Sequence, residues 1–160
     1  YDNYKEVICE DQSYRAKSVI IASGCDHRKL EVKGEEEYSG MGVSYCAVCD
    51  GAFFRNKKLA VIGGGDSAIE EAIYLTQFAS KVTIVHRREE LRAQKVLQSR
   101  AFANEKIEFE WNRVVEEIIG DNKKVTGVKL INPKNNSESS LLEVDGLFIY
   151  VGLTPQSSPF

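Results

Sequence analysis

The stretch from Lys58 to Ala72, KLAVIGGGDSAIEEA, decides the fold of this chain. Its apolar run Leu59 to Ile62 predicts a short buried strand, which three glycines then turn directly into an amphipathic helix. Asp66 or Ser67 is expected to cap that helix, because Ser67 and Glu70 have the spacing of a capping box. The side chains of the helix that are expected to face the core are Ile69, Ala72, Ile73 and Thr76.

Three small residues after the strand, Gly63, Gly65 and Ala68, stand at the spacing of the dinucleotide fingerprint G-x-G-x-x-G/A. The first permits a tight turn, the second lets a pyrophosphate approach the backbone, and the third lets the helix pack on the strand. A glycine-rich turn is often only a turn, but both flanks here favour nucleotide binding. The predicted phosphate loop comprises Gly63, Gly64, Gly65, Asp66, Ser67 and Ala68.

The composition limits the classes of function. The 160 residues are 42% hydrophobic and 28% charged, which suits one globular α/β domain with a core. A net charge of −3 without a long basic run disfavours nucleic acid and anionic membranes as partners. No apolar stretch approaches the roughly 18 residues of a membrane span. The chain begins with Tyr1 rather than Met, so we expect a piece of a longer protein.

The pair Cys46 and Cys49, separated by two residues, admits three interpretations: a zinc site, two buried structural thiols, or a redox couple. The redox couple is favoured, because both sulfurs can meet on one turn and a helix beginning there favours the attacking thiolate. Asp50 is either a proton donor and acceptor for the exchange or only a surface carboxylate. No metal site is predicted, since the remaining candidate ligands are not paired: Cys9, Cys25, His27 and His86.

Basic side chains follow the second predicted strand, Lys81 to Val85. An NAD-specific fold would carry an acidic residue there for the ribose hydroxyls. Arginine instead suits a 2′-phosphate through paired, charge-assisted hydrogen bonds, so the sequence predicts NADP; a solvated basic helix start is the alternative. The predicted phosphate-binding group comprises His86, Arg87, Arg88 and Arg92.

The rest of the chain completes an α/β fold: a Rossmann-like dinucleotide-binding domain whose central parallel sheet is flanked by helices and an antiparallel β-meander. We expect a hairpin over residues 5–16, a buried strand over 18–24, and a linker over 26–44 whose acidic run, Glu35 to Glu37, is a solvated face. A helix is expected from about Glu89 to Asn104, and its inward-facing residues are expected to be Leu91, Leu97, Ala101 and Phe102. Further strands are predicted at 107–111, 114–119, 125–131, 141–144 and 146–152, with a turn over the formal glycosylation sequon at 135–137.

Three motifs in this order resemble the low-molecular-weight thioredoxin reductases: CAVCDGAFF from Cys46, VIGGGDSAIEEA from Val61 and HRREELRA from His86. The resemblance implies a cytoplasmic, homodimeric flavoenzyme in which NADPH reduces FAD, FAD reduces a cysteine pair, and the dithiol reduces thioredoxin. It also implies roles for residues of this chain. Cys46 and Cys49 would be the redox couple and Asp50 the acid, while the phosphate loop and the basic group hold NADPH.

In that family the NADPH-binding domain is inserted into an FAD-binding domain. Residues 28–155 resemble the inserted domain, residues 1–27 the preceding FAD-domain segment, and residues 156–160 a truncated return linker. The FAD fingerprint is absent, so we expect no FAD binding and no turnover by this chain alone, and Val48 replaces the threonine of many relatives. Two alternatives stay open: a nucleotide-binding module without turnover, or part of an alkyl hydroperoxide reductase flavoprotein, which the arginines disfavour.

Overall fold

The computed structural model describes residues 3–134 and 138–158, so the sequon turn predicted at 135–137 lies outside the described residues. The chain divides into two compact units, residues 27–153 and the two chain ends, residues 1–26 with 154–160. The helices are α1 Ala47–Asp50, α2 Asp66–Leu75 and α3 Lys95–Phe102, and a 3₁₀ helix covers Gly51–Phe54. The strands are β1 Lys5–Cys9, β2 Gln12–Ala16, β3 Cys25–His27, β4 Val43–Ser44, β5 Lys58–Ile62, β6 Lys81–His86, β7 Ile107–Trp111, β8 Val114–Gly120, β9 Val125–Ile131, β10 Ser139–Glu143, β11 Gly146–Ile149 and β12 Leu153–Pro155.

A five-stranded parallel sheet in the order β4-β11-β5-β6-β7 forms the centre of the larger unit. Its middle strand, β5, is the apolar run of the phosphate-loop stretch, and four of its five residues are buried. Such near-continuous apolar strands are typical of a parallel sheet covered on both faces. The predicted Rossmann-like α/β fold is therefore confirmed.

The two faces of this sheet are covered differently. Alternate residues of β5 face opposite sides, because side chains alternate along a strand. Leu59 and Val61 pack with Ala68, Ile69 and other residues of the helices. The opposite face packs on an antiparallel sheet of order β10-β9-β8, which is the predicted meander. From this meander the chain returns as β11, which pairs with β5 in parallel.

Two expected elements differ from the structure. The helix expected from Glu89 begins only at Lys95, because the preceding backbone turns toward the phosphate loop, where the N–H groups of Arg92 and Ala93 donate to the carbonyl of Gly64 at 2.7 and 3.1 Å. Phe102, expected inside, is 57% exposed. The acidic run is also only partly solvated: Glu35 is buried and accepts hydrogen bonds from two backbone amides and a tyrosine hydroxyl.

The unit formed by the chain ends contains the predicted hairpin, in which β1 and β2 pair antiparallel. The buried strand expected over residues 18–24 is not formed. Those residues take no strand conformation, and Ile20 is 91% exposed, because no described strand offers them a ladder of hydrogen bonds. In a separate two-stranded sheet, β3 pairs with β12. None of the described helices is long and apolar enough to cross a membrane.

Candidate functional site

The first glycine of the phosphate loop is fixed by its surroundings. Gly63 has a φ of +150°, and a Cβ atom there would lie 2.5 Å from the carbonyl oxygen of Tyr150 and 2.7 Å from the Cβ of Ala68. Its N–H donates to the carbonyl of Val85 at 3.1 Å. The tight turn after β5 therefore requires glycine at this position.

Gly65 lies at the opening of the loop. A Cβ atom there would meet nothing within 4 Å, so a ligand can approach the backbone from this side. Gly65 is also the N-cap of α2, and no side chain caps the helix. The expected caps are therefore wrong: Asp66 instead accepts hydrogen bonds from the backbone N–H of Gln94 at 2.7 Å and from its side-chain amide at 3.1 Å. The uncapped N–H groups of this helix suit an anion.

The middle glycine makes room for a histidine. A Cβ atom on Gly64 would lie 2.4 Å from two ring atoms of His86. His86 is buried, and its Nε2 lies 3.1 Å from the carbonyl oxygen of Glu90. Burial lowers the pKa of His86, and the neighbouring arginines lower it further, although the contact with the Glu90 carbonyl opposes them. The ring therefore supports the phosphate loop as a neutral group at physiological pH.

Arg87, Arg88 and Arg92 are exposed at the carboxyl end of β6 and line the same cleft as the phosphate loop. Sequence reasoning missed a fourth arginine there, Arg113, whose N–H donates to the carbonyl of His86 at 3.1 Å. Its guanidinium donates to the carbonyl of Glu138 at 3.0 Å. The available signal was its place shortly after β7, because neighbouring parallel strands end at the same edge of a sheet.

The two cysteines form a disulfide at the start of α1, with Cα atoms 5.3 Å apart. Cys46 is the N-cap, and its Sγ accepts the N–H of Cys49 at 3.2 Å. Cys46 is half-buried, whereas Cys49 is exposed. Neither of the other cysteines, Cys9 and Cys25, is disulfide-bonded, and both are exposed.

Two hydroxyl groups absent from the sequence prediction hold this turn. The buried Ser44 accepts the N–H of Cys46 at 3.1 Å and donates to the carboxylate of Asp50 at 2.6 Å. The hydroxyl of Tyr150 accepts the N–H of Ala47 at 2.8 Å. No local sequence motif predicts these two residues. The sheet brings them together, since they lie at the ends of two strands distant in sequence.

One cleft of about 790 Å³ joins the phosphate loop, the arginines and the half-buried cysteine. Cys49 and Asp50 do not line it. Among the predicted site residues, the cleft is lined by Cys46, Gly63, Gly64, Gly65, Asp66, Ser67, Ala68, His86, Arg87, Arg88 and Arg92.

The fold and this cleft define a class of protein: an α/β domain with a dinucleotide-type phosphate loop and a disulfide beside it. The chain belongs to the pyridine nucleotide-disulphide oxidoreductase family, whose model matches residues 2–160.

Comparison with individual proteins gives a more specific likeness than the family model does. The thioredoxin reductases of Listeria innocua and Bacillus subtilis are 61% and 57% identical to it, over 98% of this chain and 49% of theirs. The crystal structure of Lactococcus lactis thioredoxin reductase, in the FR conformation, is 57% identical with a TM-score of 0.84, over 96% of this chain and 50% of that one. The chain thus spans about half the length of the curated relatives it matches.

Proposed function

We propose that this chain is the NADPH-binding and redox-disulfide part of a flavin-dependent thioredoxin-disulfide reductase. The cleft carries the proposal, because it brings Cys46 and the phosphate loop together in one unit. The identities of 61% and 57% with two thioredoxin reductases support the same reaction. In that reaction the Cys46–Cys49 disulfide would be reduced to a dithiol, which then reduces a disulfide of thioredoxin.

The residues present fit NADPH. The open space over Gly65 and the uncapped N–H groups of α2 suit the pyrophosphate, while Arg87, Arg88 and Arg92 suit a 2′-phosphate. His86 contributes by supporting the loop through Gly64. When bound, the nucleotide supplies two electrons as a hydride.

Asp50 fits the role of the acid. Thiol–disulfide exchange requires protons to be delivered to leaving thiolates. The Asp50 carboxylate is held by Ser44 on the same short helix as Cys49, one residue away from it. The structure gives no direct contact between this carboxylate and either sulfur, so its reach depends on rotation of its side chain or on a bridging water.

The remaining proposals concern the whole protein. FAD would be bound by a domain that residues 1–27 and 156–160 join to this one, and two copies would form a homodimer in the cytoplasm. The coverage of about half the length of the named relatives supports a further domain, while the homodimer and the cytoplasmic location rest on the family resemblance alone.

Electron transfer to thioredoxin tests the proposal on this chain itself. The chain is reduced with dithiothreitol, freed of the reagent by gel filtration, and mixed with oxidised bacterial thioredoxin. We expect about one thioredoxin disulfide reduced per chain, with the Cys46–Cys49 disulfide formed again. Replacing Cys49 by Ser should abolish this two-electron transfer, whereas Cys9→Ser should leave it unchanged.

Retention of the dithiol in the presence of oxidised thioredoxin would contradict the proposed partner and favour a nucleotide-binding module. The relation to alkyl hydroperoxide reductase flavoproteins is addressed by nucleotide preference. In the intact flavoenzyme, a tenfold or greater preference for NADH over NADPH would favour that alternative.

A further inference from the structure

We propose that Ser44 and Tyr150 are positioning residues that keep the backbone between the two cysteines in its disulfide-forming geometry after the sulfur–sulfur bond has been broken. The inference rests on the proposed function, because it concerns the same redox pair. It assigns a role to two hydroxyl groups that lie outside the redox motif in sequence.

The two hydroxyls hold successive peptide groups. Ser44 accepts the N–H of Cys46 at 3.1 Å, and Tyr150 accepts the N–H of Ala47 at 2.8 Å. The next intraturn bond, from the N–H of Cys49 to the sulfur of Cys46, belongs to the turn itself. The first two bonds therefore tie the start of α1 to groups that do not depend on the disulfide.

These groups come from a rigid support. Ser44 ends β4, and Tyr150 follows the last residue of β11, which pairs with β4 in parallel with Phe148 opposite Ser44. The N–H of Tyr150 donates to the carbonyl of Ile62 at 2.8 Å, so its backbone stays in register with the central strand β5. Hydroxyls fixed on two neighbouring strands of a buried sheet hold the turn more firmly than groups on a loop would.

The tyrosine hydroxyl remains a neutral acceptor under all ordinary conditions. Burial raises the pKa of Tyr150 to about 12, with further contributions from the carboxylates of Glu71 and Asp50, although the hydrogen bond from Ala47 opposes the shift. Ser44 is also buried, and its own proton is directed to Asp50 at 2.6 Å. Both hydrogen bonds are therefore available to the oxidised and the reduced protein alike.

Preorganisation of this kind has a direct chemical consequence. Two thiols held close together have a high effective concentration toward each other, which favours the disulfide at equilibrium. Removing either hydroxyl lets the turn relax once the disulfide is reduced. The dithiol then gains freedom that the disulfide lacks, and the pair becomes easier to reduce.

The test is the redox equilibrium of the chain with dithiothreitol. Dithiothreitol loses two electrons and two protons and closes to its cyclic disulfide, while the Cys46–Cys49 bond takes them up and yields two thiols. The variants are Tyr150→Phe and Ser44→Ala. We expect each to shift the equilibrium constant toward the protein dithiol by about three- to tenfold, because the disulfide holds the oxidised turn without the hydroxyl, whereas the reduced turn can then relax.

Matched controls remove a hydroxyl elsewhere. Tyr74→Phe alters a tyrosine of α2, and Ser99→Ala alters an exposed serine of α3 whose hydroxyl bonds to its own helix. Neither control should move the equilibrium constant by more than about twofold. Thermal unfolding of each oxidised variant shows whether it is folded, and Ser44→Ala tests the inference independently of Tyr150→Phe.

The possible outcomes distinguish the positioning role of the two hydroxyls from the proposed function of the chain. Equilibrium constants of both test variants within twofold of the unaltered chain, or an equal shift in the controls, would overturn the positioning role and leave the proposed function intact. An unaltered chain whose Cys46–Cys49 pair does not equilibrate reversibly with dithiothreitol would contradict the proposed function as well.

Discussion

At the scale of single residues, each of the three positions of the phosphate loop is occupied by glycine for a different physical reason. Gly63 is required by its positive φ and by the carbonyl of Tyr150, and Gly64 by the ring of His86. Gly65 is in contact with nothing that a methyl group would disturb, so we propose that its small size serves a ligand rather than the fold. Substitutions within a few adjacent residues can therefore distinguish effects on the stability of the protein from effects on ligand binding.

This difference predicts that alanine substitutions at two of the glycines affect different properties, namely the stability of the protein and its binding of NADP. Gly63→Ala should lower the free energy of unfolding by about 1–3 kcal/mol, the cost of a strained backbone position. Gly65→Ala should change it by less than about 0.5 kcal/mol but weaken NADP binding, since its methyl group points into the open space. Denaturant unfolding and calorimetric titration measure both quantities. Equal losses of stability in the two variants would contradict the assignment of Gly65 to binding.

The preference for NADP over NAD that is proposed for the arginines provides a second prediction. The double variant Arg87→Ala, Arg88→Ala should lose at least tenfold in NADP affinity, because each charge-assisted hydrogen bond contributes about 1.5–3 kcal/mol. NAD affinity should change little, since NAD lacks the 2′-phosphate. Titrations at one low ionic strength compare the two nucleotides. Arg100→Ala, on the exposed last turn of α3, is the matched control, and an equal loss for NAD and NADP would rule out a 2′-phosphate site.

His86 predicts a pH dependence of stability. Because burial lowers its pKa in the folded state, the unfolded chain binds more protons between the folded pKa and the unperturbed value of about 6.5. The free energy of unfolding should therefore fall as the pH decreases below about 6.5, and His86→Gln should remove part of that fall. Urea unfolding at pH 7.5 and pH 5 measures the difference. The exposed His27 provides the control His27→Gln, and an identical pH dependence in both variants would refute the prediction.

At the scale of elements, the segment between β6 and α3 is held by the phosphate loop and by the start of α2. The carbonyl of Gly64 accepts two backbone N–H groups of the segment, and Asp66 accepts two hydrogen bonds from Gln94. These contacts replace helical hydrogen bonds, so the helix begins late. They also bring Arg92 to the cleft from an irregular segment rather than from a helical turn.

The docking of this segment predicts an effect of Asp66→Ala. The substitution should lower the free energy of unfolding by about 1 kcal/mol, reduced from the value for a buried charged bond because Asp66 is exposed. It should also speed hydrogen exchange at the amide of Gln94, which loses its acceptor. Glu70→Ala, on the same helix and exposed, should do neither. Unchanged exchange at Gln94 would show that other contacts hold the segment.

At the scale of the whole molecule, one cleft of the larger unit is lined by the nucleotide-type loop and by Cys46 of the disulfide. The redox turn, residues 46–50, follows the edge strand β4. The sequence contains one dinucleotide fingerprint, at Gly63 to Ala68. A hydride carrier and a disulfide need a relay that accepts a hydride and passes electrons to sulfur, which is the role proposed for FAD.

The chain by itself should therefore not turn over. Mixed with NADPH and oxidised thioredoxin, it should show no loss of NADPH absorbance beyond that of a sample without the chain. The prereduced chain in the same buffer should still reduce thioredoxin, which controls for a damaged disulfide. Steady NADPH oxidation by the chain without added flavin would contradict the proposed relay.

Local pattern in the sequence determined the strand–loop–helix unit around Gly63, the parallel sheet with its meander, and the pairing of Cys46 with Cys49, because alternation, helical spacing and residue placement act over a few residues. It predicted caps at Asp66 or Ser67, a helix from Glu89 and a buried strand over residues 18–24, all of which the structure contradicts.

Only the tertiary structure decided which groups meet across the chain: Asp66 with Gln94, Ser44 and Tyr150 with the redox turn, and Arg113 with the cleft. These contacts join residues from separate elements. The register and packing of the sheet set them, and no local pattern records them.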